Sequence, residues 1–436
     1  MPLEFNEGYG LRNIMQEDYL LAENPFRVSE IYNLDNPGTY DPTMYGKQYD
    51  EFYEKFFLRP LMRGKNKQVI GAIWSSQSAS DWRGFGKSML MAEESKLICR
   101  DFGASFLVKK GVTEKDIAAN PVLAGYCTFD QAKDVKTFSS AILDAVAFML
   151  EQPHGEWTVH QELRNRIAAK GEAEEGYEGT VARRLVMEAL HSYKSLNVQL
   201  NHKSLDRFID LLCGDTTTEL TAFIRNEIGP RVKANQGFNF VHVFNAYAIL
   251  AGIVSVVYFV DQIETFSNWA RNQDREIKIL RESICQTSPT AEIASFVFQM
   301  HASALTGLEN WWLAEHLPSL DFETQINQTR IINLKGLQTS AEAEKLALKY
   351  LGENRVEGME VSSPLHPFTE AGVEYVRAFT KGNPRKFLET LGVILDHAVQ
   401  AQESVIDLSL IESLLGEGYE DTGSETEEDD FDNVER

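Results

Sequence analysis

Apolar residues follow two spacings along this chain, and the change from one to the other outlines its elements. Val69-Ile70-Gly71-Ala72-Ile73-Trp74 is a continuous apolar run of strand length, and Met89-Leu90-Met91-Ala92 opens a helix soon after it. Ser105-Phe106-Leu107-Val108 and Val122-Leu123-Ala124-Gly125-Tyr126-Cys127 read as further strands. Phe138 to Leu150 reads as a helix, because Ile142, Val146 and Met149 recur at helical spacing. Upstream, Tyr49 to Leu58 predicts a helix that Pro60 ends, after an irregular lead-in with turn pairs such as Asn36-Pro37-Gly38. Strands alternating with helices imply a mostly parallel sheet covered on both faces.

Between about 151 and 240 the strand pattern disappears. Val181, Leu185, Val186, Ala189 and Leu190 form one helical stripe, and Leu205, Phe208, Ile209 and Leu212 form another. Gly171 to Gly179 is a Gly- and Glu-rich loop before the first. The uncharged stretch Ala246 to Val260 is 15 residues long, short of the roughly 20 that a helix needs to cross a bilayer. Gly252 divides it into a buried helix end and a central strand that runs to Val260. Phe296-Val297-Phe298 predicts one more strand. Helices are expected at Ala341 to Leu351, after Pro384, and at Val405 to Leu415.

A chain of 436 residues suits two or three domains. Its net charge of −23 argues against a uniformly basic nucleic-acid-binding body. Ten acids and one Arg from Glu417 onward place −9 of that charge in an acidic tail, which composition alone marks as solvated or disordered. Cys99, Cys127, Cys213 and Cys285 form no C-x-x-C pair and read as thiols of a reducing compartment. With no signal pattern at the N-terminus and no membrane span, a cytoplasmic protein is expected.

The chemistry concentrates where the strand and helix patterns meet. Asp81-Trp82-Arg83-Gly84-Phe85-Gly86-Lys87-Ser88 lies between the first strand and its helix, the setting of a phosphate-binding loop. In such a loop Gly84, Gly86, Lys87, Ser88 and Met89 surround the phosphates, Lys87 reaching the β/γ oxygens and the Ser88 hydroxyl taking Mg²⁺. Asp81 stands where the pattern has its outer glycine. The strand ending in Asp261-Gln262-Ile263-Glu264 brings a carboxylate to the C-terminal edge of a parallel sheet. There Asp261 is a metal ligand and Glu264 a residue for orienting water. Gln299 and His301 follow another strand end, where a polar side chain either meets the γ-phosphate or closes local hydrogen bonds. Arg59, Arg63, Lys65 and Lys67, with Lys109-Lys110, are basic clusters that read as phosphate contacts or as a solvated face.

In this order the motifs resemble the AAA+/STAND branch of P-loop ATPases, especially its origin-recognition-like members. The phosphate loop carries the match, together with Val257 to Glu264, Arg330-Ile331-Ile332-Asn333-Leu334-Lys335-Gly336-Leu337, and Thr380-Lys381-Gly382-Asn383-Pro384-Arg385. The resemblance implies an α/β P-loop NTPase core of AAA+ type, with a mostly parallel sheet, a helical insertion and a C-terminal helical lid. The expected plan is an N-terminal arm over 1–48, core segments at 49–150 and 241–335, the insertion at 151–240, the lid at 336–415 and the tail at 416–436. It also implies that Lys87, Glu264 and Arg385 are catalytic, with Arg385 reading the γ-phosphate, and that ATP and Mg²⁺ are the cofactors. An arginine finger would come from a neighbouring subunit; Arg271, Arg275 and Arg281 are candidates on this chain.

Gln262 stands where many relatives have a Glu directly after the Asp. With Asp81, it points to slow hydrolysis. The winged-helix domain usual after the lid in that family is not expected, since the acidic tail follows the lid directly. The expected function is an ATP-dependent switch that works as a homo-oligomer with a separate effector protein, in a DNA-linked or phage-defence setting. The alternative is a scaffold that holds ATP without turnover, or a DNA-binding protein; a kinase is weaker, since no acceptor motif accompanies the loop.

Overall fold

The computed structural model describes residues 13–26, 40–58, 61, 69–75, 84–129, 137–171, 178–193, 203–229, 234–262, 279, 282–284, 287–299, 331–358 and 361–416. The chain divides into two compact units, Tyr40–Lys335 and Met1–Thr39 with Gly336–Arg436.

The larger unit is built on five parallel strands: β1 (Ile70–Trp74), β2 (Val122–Thr128), β3 (Ser255–Asp261), β4 (Ala294–Gln299) and β5 (Ile331–Asn333). Their order across the sheet is β2-β3-β4-β1-β5. Strand β4 therefore lies between the strand that feeds the Gly-Lys-Ser loop and the strand that ends in Asp261. Every residue of β3 is buried, as a central parallel strand covered on both faces requires.

Alternate residues of the sheet pack into different cores. On one face Val257, Phe259, Val122, Ala124 and Val297 meet α1 (Lys47–Tyr53), the π-helical turn Glu54–Leu58 that continues it, and α2 (Lys87–Asp101). Phe52 stacks on Phe259 at 5.3 Å between ring centroids, with Phe56 and Phe57 beside it. Each such buried ring contributes about 1.5–3 kcal/mol from apolar area alone. Lys55 fastens this layer to edge strand β5, its ammonium donating to the Ile331 carbonyl at 2.9 Å.

On the other face Val256, Tyr258, Val260, Phe296 and Phe298 meet α3 (Phe138–Glu151) and α4 (Ala234–Leu250). The two helical stripes of the insertion fold as Glu178–Ser192 and Lys203–Cys213; with a further helix, Val159–Ala168, they share this core rather than forming one of their own. Gly125 of β2 lets α3 approach: a Cβ there would lie 2.7 Å from the Ala145 carbonyl oxygen.

Three expectations are corrected. Residues 105–108 are not a strand but belong to the helix Ala104–Lys109. Phe106 and Leu107 are buried while Val108 is 61% exposed, a one-sided helical pattern that four residues cannot distinguish from a strand run. The expected 405–415 helix begins only at Leu408, because Ile406 is drawn into a parallel bridge with Phe368 and the Asp407 side chain accepts from the Leu410 N–H. The insertion also opens with a small antiparallel hairpin, Pro153–His154 with Trp157–Thr158.

The smaller unit contains α5 (Ser340–Glu353), α6 (Glu370–Phe379), α7 (Pro384–Ala401) and α8 (Leu408–Gly416). Residues 13–26 pack among them: the Asn24 amide donates to the Gly392 carbonyl, and the Phe26 ring stacks near Tyr350. The start of α7 explains the Gly-Asn-Pro sequence. Gly382 turns at φ +71°, where a Cβ would lie 2.5 Å from the Leu337 carbonyl oxygen. The Asn383 side chain then caps the N–H groups of Arg385 and Lys386, and Pro384 opens the helix. Among the described residues no helix is long and apolar enough to cross a membrane.

Candidate functional site

The site forms where the C-terminal ends of β1, β2, β3 and β4 meet the start of α2. Gly84 and Gly86 turn at φ +89° and +72°, and Gly86 precedes α2 with no side-chain cap. The first intrahelical backbone bond is Leu90 N–H to the Gly86 carbonyl at 2.9 Å. The amides of Lys87, Ser88 and Met89 come before it and point along the helix axis out of its positive end. That end is an anion-binding geometry.

Lys87 is buried, its ammonium 3.3 Å from the Ser75 hydroxyl at the end of β1. The Ser88 hydroxyl sits among Asp261 of β3, Tyr126 of β2 and Gln299 of β4, with its Oγ donating to Gln299 Oε1 at 3.3 Å. Asp261 is 1% exposed. Burial pushes its carboxyl pKa up, while the neighbouring Ser88 and Tyr126 hydroxyls, the Gln262 amide and the nearby Lys87 charge act the other way. The chain turns immediately after Asp261, where Gln262 takes the left-handed φ of +55° and its N–H donates to Asp261 Oδ1 at 2.7 Å.

Of the residues expected from sequence, Gly84, Gly86, Lys87, Ser88, Met89, Asp261 and Gln299 belong to this one region. Glu264, His301, Asp81, Arg271, Arg275 and Arg281 lie outside the described residues, as do Arg59, Arg63, Lys65 and Lys67. Arg385 belongs to the smaller unit, on the first turn of α7, where its guanidinium pairs with Glu389 at 2.6 Å. The Lys110 ammonium is held by Asp50 at 2.6 Å.

Tyr126 and Ser75 were not singled out in the sequence, and Tyr45 joins them at the loop. The Tyr45 phenol donates to the Gly86 carbonyl at 2.9 Å, and its oxygen lies 2.6 Å from where a Cβ on Gly86 would be. Behind it, buried Glu94 of α2 accepts hydrogen bonds from the Tyr40 and Tyr53 phenols. Burial raises the Glu94 pKa and the phenol donors oppose that shift. The segment from Tyr40 is thereby fastened both to the loop and to its helix. A signal was present in the repeated tyrosines, Tyr40, Tyr45, Tyr49 and Tyr53, but their common target was not.

Among the described residues no group of three or more His, Cys, Asp or Glu side chains is arranged to hold a metal. One buried carboxylate beside a hydroxyl is nevertheless the sparse oxygen set that suits Mg²⁺, which takes its remaining ligands from water and phosphate. Asp261 and Ser88 fit that requirement.

No protein-family model and no curated protein matches this sequence. Among solved structures, the ORC2 protein of Aeropyrum pernix in its ADPNP–ADP complexes aligns over 93% of this chain and 71% of its own, at 12% identity and a TM-score of 0.41. At that distance, the functional reading rests on the site itself.

Proposed function

We propose that this chain is an ATP-binding switch of the AAA+/STAND kind, with slow or partner-stimulated hydrolysis. The observation that carries the reading is the convergence of Lys87, Ser88, Asp261 and Gln299 at an open helix start. Lys87 and the α2 amides neutralise phosphate charge as it builds toward the transition state. Ser88 and Asp261 would hold Mg²⁺, which when bound would supply further neutralisation of phosphate charge. Gln299, bonded to Ser88, is suited to reach the γ-phosphate, and Glu264 three residues after Asp261 orients the attacking water.

Arg385 reads the γ-phosphate in this proposal. In this structure its guanidinium is paired with the i,i+4 neighbour Glu389, which a phosphate would replace. A second subunit and a separate effector protein complete the scheme.

The test is ATP turnover by purified protein, with and without duplex DNA, for wild type, Lys87→Ala and Glu264→Gln. Turnover lost in both variants supports the switch. Tight Mg²⁺-dependent ATP binding without turnover in any condition supports the non-catalytic scaffold instead. DNA affinity that falls steeply with salt, with no dependence on Lys87, supports the DNA-binding alternative.

A further inference from the structure

Tyr126 has a place in the site beyond packing. It lies on β2 opposite Phe259 of β3, two positions before Asp261, on the sheet face that carries α2. Its phenol donates to Asp261 Oδ2 at 2.7 Å, while the Gln262 N–H donates to Oδ1 at 2.7 Å. Both carboxylate oxygens are thus held, and the Ser88 hydroxyl borders the phenol and the carboxylate together. An aspartate bonded on only one oxygen would rotate about its χ2, a broad torsion. Held on both, it presents one orientation to Ser88.

We propose that Tyr126 is a positioning residue for Mg²⁺-dependent nucleotide binding, acting through Asp261 rather than on the phosphates. The proposal rests on the nucleotide-site reading above. Hydrogen-bond partners of metal-ligating carboxylates typically govern metal affinity by 10–100-fold. The Lys87 end of the loop is held separately, through Ser75, so loss of the phenol should leave metal-free nucleotide binding intact.

The experiment titrates Mg²⁺ into protein and an N-methylanthraniloyl-ATP probe, using wild type, Tyr126→Phe, Asp261→Asn, the double variant and Lys87→Ala. Tyr126→Phe should raise the Mg²⁺ half-saturation point about 10–100-fold with probe affinity in EDTA unchanged. In the Asp261→Asn background it should produce no further shift, because a residue acting through Asp261 has nothing left to act on. A merely structural tyrosine would instead lower the unfolding midpoint and leave the Mg²⁺ midpoint where it was, which overturns the proposal. So does a lower Mg²⁺ midpoint, which would make the phenol a competitor of the metal. If Lys87→Ala binds the probe like wild type, the nucleotide-site reading falls and the proposal with it. If Lys87→Ala loses the probe and Tyr126→Phe titrates like wild type, only the positioning role falls.

Discussion

Replacing Gly86 with Ala tests how the phosphate-loop turn is held before any nucleotide arrives. Gly86 has φ +72°, a region that costs an L-residue roughly 1–2 kcal/mol. Part of this is offset, by about 0.4–1 kcal/mol, because alanine restricts the unfolded chain. The new Cβ would also stand 2.6 Å from the Tyr45 hydroxyl oxygen, so the phenol must withdraw and give up its bond to the Gly86 carbonyl. That bond is worth about 0.5–1.5 kcal/mol. Gly86→Ala should therefore destabilise the larger unit by about 0.5–3 kcal/mol, and Tyr45→Phe alone by about 0.5–1.5 kcal/mol.

In the Tyr45→Phe background the nearest atoms to the new Cβ are ring carbons at 3.4 and 3.5 Å, so the close approach disappears and the hydrogen bond is already gone. The double variant should then cost about 1 kcal/mol less than the sum of the singles. Urea unfolding followed by tryptophan fluorescence suits the measurement, since all six tryptophans lie between residues 74 and 312, within the larger unit. Additivity within about 0.5 kcal/mol would show that Tyr45 does not restrain the loop.

Other consequences follow from local geometry. Asn383→Ala removes the cap of α7 and should lower the stability of the smaller unit by about 1 kcal/mol, read by thermal unfolding; Asn383→Gly should cost less. His160 is buried, with Nε2 at 3.0 Å from the Leu212 carbonyl and Nδ1 at 3.1 Å from the Thr217 hydroxyl. Burial lowers its pKa from 6.5 to about 4. The unfolded chain therefore takes up a proton before the folded one, and stability is lost as pH falls from 6.5 toward 4. This is ~3 kcal/mol at most, and His160→Gln should flatten that part of the pH–stability curve while leaving the share due to His242. Gly125→Ala forces a Cβ against the Ala145 carbonyl and Met149, and should cost about 1–3 kcal/mol in urea unfolding by prying α3 from the sheet.

The parts of this fold that were legible in the sequence are those written locally. Val69 to Trp74 before Gly-Lys-Ser, the apolar run ending in Asp261, and Gly382-Asn383-Pro384 each hold their turn, strand end or cap within a few residues. The 105–108 segment was misread because three apolar residues in a row carry no usable period, and the left-handed start at Gly103 decided for a helix. Tyr126 could not be singled out, since one tyrosine in a strand is ordinary; its role follows from pairing with a strand 135 residues away. The insertion's stripes were visible, but a stripe does not name its partner, and only packing shows that these helices share the core of the sheet.

The central claim is that the turn ending in Lys87 and Ser88, with Asp261 beside it, is a nucleotide site. Isothermal titration of ATP into the full chain with Mg²⁺ present tests this most directly, with Lys87→Ala as the comparison. The account predicts saturable binding of one ATP per chain by wild type and its loss in Lys87→Ala. Equal binding by both proteins, or no binding by wild type, would contradict it.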